Sequence, residues 1–286
     1  MNSAGPLGAH PITGSVTSAG TTIGYRQLGE GPGVILLHGG MKSSQDFTKL
    51  AAALSSDFTV FVMDRRGRGL SGPHGDRFTV DVEVADVQEL VMKTGARNIF
   101  GLSAGALVGL RAARVTPALE RVALYEPPLS INGSVPTAWF AQYQEELAHG
   151  KRATALVTAM KGMEVEPMFL RFPRFLLVPL LSLLMRLQGA GDAEHVPIRA
   201  LVPTLRYDVQ IVKELSDTLD DYRNLPAHVL LLGGTRSPAF LGVALDALER
   251  TLPHVERATL PGLGHDGPED DGQPALVAQH LRRFFG

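Results

Sequence analysis

Short apolar runs separated by helical spacing constrain this chain more than any other feature. Residues 34–37, 58–63, Asn98–Leu102 and Arg121–Tyr125 form such runs. A strand with one wet face would alternate polar and apolar residues, so runs without that alternation fit strands buried on both faces of a parallel sheet. Between them the apolar residues recur at helical spacing. Residues 46–54 carry Phe47, Leu50, Ala51 and Leu54, and residues 80–92 carry a stripe of Val80, Val84, Val87 and Val91. Ala104–Val115 continues the series. A strand over 22–28, ended by Gly29-Glu30-Gly31-Pro32-Gly33, precedes it. This alternation predicts an α/β fold with a mostly parallel sheet and helices on both faces.

The alternation stops after Pro127-Pro128. From 129 to 221 the spacing predicts helices only, over 138–147, Arg152–Met163, 168–187 and 204–219. It then resumes with a strand over 228–232, a helix over 240–252, a strand over 257–260 and a closing helix over 275–285. An all-helical insertion at 129–221 within an α/β core of 1–128 and 222–286 is the simplest division. Residues 1–20 are mostly Gly, Ser, Ala, Thr and Pro, lack the basic and apolar regions of a signal peptide, and predict a mobile tail over the first dozen or so. The most apolar run, FLLVPLLSLLMRL at 175–187, falls short of the roughly 20 residues that span a bilayer. It predicts a buried or cleft-lining helix. No membrane span and a cytoplasmic location are expected.

Composition narrows the chemistry. With no Cys among 286 residues, disulfides, thiolate metal sites and a cysteine nucleophile are excluded. Lys and Arg total 27 against 29 Asp and Glu, which gives no positive field for nucleic acid. The nine His are scattered and no H-E-x-x-H occurs, so neither a metal site nor any cofactor is expected.

Gly101-Leu102-Ser103-Ala104-Gly105 lies between a short strand and a helix. A serine there would sit on a sharp turn at the helix start, with small neighbours letting the two backbones close together. The Ala104 N–H would then face a developing oxyanion. His38-Gly39-Gly40 follows the strand at 34–37, and Gly40 or Met41 could supply a second backbone donor there. His38 itself reads as a hydrogen-bonded structural residue. Gly262-Leu263-Gly264-His265 puts a histidine on a glycine-rich loop after the last strand, where a general base could act. Gly67-Arg68-Gly69-Leu70-Ser71-Gly72 fits a dinucleotide-binding pattern, but Pro73-His74-Gly75 continues a loop where that site needs a helix.

In this order and spacing the motifs resemble the α/β-hydrolase family, in its serine-nucleophile, capped, esterase-like branch. They are His38-Gly39-Gly40, Asp64-Arg65-Arg66-Gly67-Arg68-Gly69-Leu70-Ser71, the turn at 101–105 and His265. The resemblance implies Ser103 as nucleophile, His265 as base, Gly40, Met41 and Ala104 around the oxyanion, and 129–221 as a helical cap. Many relatives carry an Asp after the strand that follows the cap; here that slot holds Ser237. Others place the acid at the end of the strand after the elbow helix, where this chain has Glu126. Glu126 is the expected acid, with Asp266 and Asp208 as weaker alternatives.

Serine at position 103 points to esters, thioesters or lactones. Trp139, Met160, Phe169, Phe172 and Leu176 are candidate lining residues for a hydrophobic small-molecule substrate. A lyase, cyclase or acyltransferase on the same fold, or a catalytically silent receptor, are the alternatives.

Overall fold

The computed structural model describes residues 11–164, 171–189, 191 and 196–286. Eight strands form one sheet: β1 (Ile12–Ser18), β2 (Thr21–Leu28), β3 (Gly33–Leu37), β4 (Thr59–Met63), β5 (Asn98–Leu102), β6 (Arg121–Tyr125), β7 (His228–Gly234) and β8 (Val255–Leu260). Their spatial order is β1-β2-β4-β3-β5-β6-β7-β8. β1 pairs antiparallel with β2 and β2 with β4; every other pairing is parallel.

Each central strand sends alternate residues to opposite faces, and both faces are covered. Ile35, Leu37, Ile99, Val122 and Leu124 join one core with α2 (Val80–Thr94) and α3 (Ala104–Val115). Val34, Leu36, Phe100, Ala123 and Tyr125 join the other with α1 (Thr48–Leu54) and the C-terminal helix (Pro274–Phe285). Two-sided burial is why these strands read as continuous apolar runs.

Most of the expected tail, the first dozen or so residues, lies outside the described residues, and the strand that follows it was not expected. Residues 12–18, ITGSVTS, form the edge strand β1. Its alternation carries no large residue after Ile12 except Val16, and its turn is Ala19-Gly20, both at positive φ. That is the backbone of a two-residue hairpin without its usual Asn-Gly marker, so the residues gave little signal.

Between β6 and β7 every described element is helical. α4 (Phe140–Ala148), α5 (Arg152–Met163), α6 (Arg174–Leu187), α7 (Ile198–Leu201) and α8 (Leu205–Glu214) pack partly on their own cluster, including Phe140, Tyr143, Leu156, Met185 and Leu205. α9 (Ala239–Thr251) then joins β7 to β8. Residues 67–75 form a loop, not a helix, as Pro73 required. Among the described residues no helix is long and apolar enough to cross a membrane.

A buried ionic network ties residues 65–68 to α2 and to α8. Arg65 Nε donates to Glu83 at 2.6 Å and its Nη1 pairs with Asp208 at 2.9 Å. Arg66 grips Asp86 through two bonds of 2.5 and 2.7 Å, and Arg68 Nη2 reaches Asp208 at 2.7 Å. All six side chains are almost fully buried, so each charge needs its partner. His74 lies beside them, its ring stacked on Tyr207 with centroids 3.5 Å apart. Burial, and then the nearby Arg68 and Arg65, push its pKa down to about 3.

In the unfolded chain this imidazole takes up a proton near pH 6.5. Its contribution to stability is therefore complete above about pH 6.5 and is lost as pH falls toward 3. Urea midpoints measured at about pH 7.5 and about pH 5 should fall more steeply for the wild type than for His74→Phe, which lacks this linkage. Equal slopes would contradict the burial argument.

Candidate active site

The parallel strands end at one edge of the sheet, and that edge is where the chemistry-bearing residues gather, as expected for an open α/β sheet. Ser103 follows β5 directly. Its φ of +56° is rare for a side-chain-bearing residue and marks a strained turn. The turn is held by the Ser103 N–H donating to Tyr125 O at 2.9 Å and by the first helical bonds of α3 back to Ser103 O. Glycine is required on both sides. A Cβ on Gly101 would lie 2.5 Å from Gly105 O, and one on Gly105 would lie 2.5 Å from the carbonyl oxygens of Leu37 and His38.

Glu126 follows β6 with φ +48° and is 1% exposed. Its N–H extends the ladder to Leu232 O at 3.0 Å. Its carboxylate accepts twice: Oε1 from Gly234 N–H at 2.7 Å, and Oε2 from His265 Nδ1 at 2.7 Å. With Nδ1–H turned to the carboxylate, Nε2 of His265 is the nitrogen left with a lone pair. The His265 loop is anchored by Tyr125, whose hydroxyl donates to Gly264 O at 2.7 Å.

Ser103, Ala104, Gly40, Met41 and His265 line one cavity of about 490 Å³. Met41 is held at φ +54°. His38 is structural, as its sequence context suggested. Its Nδ1–H bonds Gly39 O at 2.9 Å, its Nε2 accepts from Arg65 N–H at 3.1 Å, and burial followed by Arg68 and Arg65 holds it neutral with a pKa well below the usual value. Asp208 pairs with Arg65 and Arg68 and Asp266 adjoins the histidine in the cavity wall, so the contact to His265 Nδ1 belongs to Glu126.

The lining is partly as expected. Trp139 and Met160 line the cavity, joined by Met163, Leu156, Leu181 and Leu205. Phe172 and Leu176 do not; they are 47% and 52% exposed on the outer side of the helical segment. The run is apolar all round, so its composition did not reveal which side faced inward. Phe169 lies outside the described residues. Three contributions had no sequence signal: Tyr125 and the Gly234 N–H, which act through backbone contacts between distant loops, and a cluster of Lys42, Asp46 and Glu269.

That cluster forms a polar wall of the cavity. Lys42 Nζ bonds Glu269 closely and lies 3.6 Å from Asp46. Burial opposes the ammonium charge, but Glu269 and Asp46 outweigh it and hold Lys42 above its ordinary range. Burial pushes Glu269 up to about 7, against the pull of Lys42. Among the described residues no group of three or more His, Asp or Glu side chains could hold a metal ion.

Residues 34–280 match the alpha/beta hydrolase family, and the chain belongs to that family. It is 25% identical over 259 residues to 2-(acetamidomethylene)succinate hydrolase of Mesorhizobium japonicum, covering 90% of this chain and 89% of the relative. It is 27% identical over 257 residues to sn-1-specific diacylglycerol lipase ABHD11 of Xenopus laevis, covering 82% and 74%. An alpha/beta hydrolase structure from Sphaerobacter thermophilus superposes with TM-score 0.76 and 26% identity over 96% of this chain and 100% of that one. The fold is thus the α/β-hydrolase fold, and the curated relatives named here are hydrolases.

Tyr125→Phe removes the donor to Gly264 O and leaves that carbonyl without it. Gly264 O keeps its bond from Gly267 N–H at 3.1 Å, so chemical denaturation should show a loss of about 0.5–1.5 kcal/mol. An unchanged midpoint would mean that the loop is held by its backbone bonds alone.

Proposed function

We propose that this hydrolase cleaves a carboxylic ester, thioester or lactone of a hydrophobic small molecule through Ser103, His265 and Glu126. The observation that carries the reading is the 2.7 Å contact between His265 Nδ1 and Glu126, with Ser103 on the elbow lining the same cavity. His265 Nε2 takes the proton as Ser103 Oγ attacks the carbonyl carbon. The N–H of Ala104, with that of Gly40 or Met41, stabilises the tetrahedral oxyanion. The alkoxide or thiolate leaves with the proton from His265, and water activated by the same nitrogen releases the acid from the acyl-enzyme. Glu126 fixes the tautomer and stabilises the imidazolium. No cofactor enters this sequence. Residues 129–221 act as a cap over a core of 1–128 and 222–286, with Trp139 and Met160 on its substrate side.

A fluorophosphonate probe followed by mass spectrometry should modify Ser103 alone. Ser103→Ala and His265→Ala should remove nearly all turnover of a p-nitrophenyl ester, and Glu126→Gln about a thousandfold or more. Unmodified Ser103 would overturn the reading; full activity in Glu126→Gln would overturn the acid assignment.

The polar wall selects neutral substrates. Lys42 is matched by Glu269 and Asp46, and Asp266 adds a further carboxylate to the cavity. A succinate-type substrate, as in the Mesorhizobium relative's name, would meet like charge. Glu269→Gln should raise kcat/KM for a carboxylate-bearing ester roughly tenfold by freeing Lys42, with little change on a neutral ester. Equal effects on both esters would remove the charge argument.

A further inference from the structure

Helix α6 is apolar around its whole circumference. One side packs inward: Leu177 and Met185 are buried, and Leu181 lines the cavity. The other side faces out. Phe175, Leu176, Leu180, Leu183, Leu184 and Leu187 are between 47% and 74% exposed. At about 100° per residue they fall on one continuous arc, with Pro179 among them and Arg186 at its edge. A helix apolar on every side is ordinarily covered on every side, and an open stripe of this extent marks an interaction surface.

Charge indicates what covers it. Residues 171–189 contain Arg171, Arg174 and Arg186 and no Asp or Glu. Arg174 pairs with Glu146, while Arg171 and Arg186 are exposed. Arg199, half-buried, donates to Gly189 O just past the helix. A second copy docking through the same arc would bring these cationic edges together. An anionic lipid surface offers an acyl boundary for the arc and phosphates for the arginines. The helix has 14 residues, about 21 Å at 1.5 Å each, too short for a hydrocarbon core of about 30 Å, so it would lie along the surface and not span it.

We propose that α6 is an interfacial helix that seats the protein on an anionic lipid surface. The cavity then lies on the other side of that one helix, so a substrate dissolved in the membrane would have a short path to it. An apolar inner side and an apolar outer side on the same helix follow from those two neighbours.

The test is co-sedimentation of the full chain with vesicles of phosphatidylcholine, alone or with about one-third phosphatidylserine. The wild type should bind the anionic vesicles, weakly at high salt and weakly without phosphatidylserine. Phe175→Ser/Leu180→Ser/Leu183→Ser should lower partitioning by at least about tenfold. Arg171→Gln/Arg186→Gln should lower it roughly fivefold per arginine and decides the matter if the triple variant fails to fold. Hydrolysis of a soluble short-chain ester should match the wild type in both, which separates failure of lipid docking from failure of the catalytic reading. The proposal is overturned if the wild type binds neither vesicle, or if binding survives in both folded variants. It is also overturned if sedimentation velocity shows a wild-type dimer that the triple variant dissociates, since the arc then belongs to a second copy.

Discussion

The backbone of Gly105 rests against the carbonyls of Leu37 and His38 with no room for a single methyl group, and the site is built on that contact. It brings the start of α3 down onto β3, so the turn between β5 and α3 must be sharp. Ser103 is forced to positive φ at its apex, and Ala104 takes the first helical position. The same contact sets the His38–Met41 loop beside the helix start, which is why both line one cavity. Strain at Ser103 is held by a sheet whose central strands are buried on both faces and cannot easily shift.

A second constraint is electrostatic. Arg65, Arg66 and Arg68 enter the interior on one loop, and Glu83, Asp86 and Asp208 meet them there. Arg65 also donates through its backbone to His38 Nε2 and through its guanidinium to His38 O, so the loop that carries Gly40 is fixed from behind. Asp208 comes from α8, in the helical segment, and its carboxylate lies against Gly40. The ion pairs therefore register that segment against the His38–Met41 loop. Apolar packing alone would leave their relative position less specific, because it has no preferred partner atoms.

Much of the fold was legible in the residues. Asn98–Leu102, Ala104–Val115, Arg121–Tyr125 and Arg152–Met163 have the bounds that their spacing predicts, since apolar runs and helical stripes are local signals. β1 was not legible, because a Gly-, Ser- and Thr-rich edge strand gains its stability from pairing with β2 and not from its own residues. The lining was legible only in part. On α6 Leu181 faces the cavity while Leu176 faces out, and nothing local distinguishes two sides of a helix that are equally apolar.

The sequence by itself determined the layered α/β plan, the serine at the elbow and the absence of cysteine chemistry, because each depends on residue type and short-range spacing. With the family resemblance and Ser237 at the commoner slot, it also made Glu126 the expected acid. Only the tertiary structure decided that Glu126 and His265, 139 positions apart, stand at 2.7 Å. It also decided that Gly234 and Tyr125 hold them there, and that Lys42 is matched by two carboxylates in the cavity wall. Those contacts join the ends of different strands. Their distances follow from sheet order and register, which local spacing does not encode.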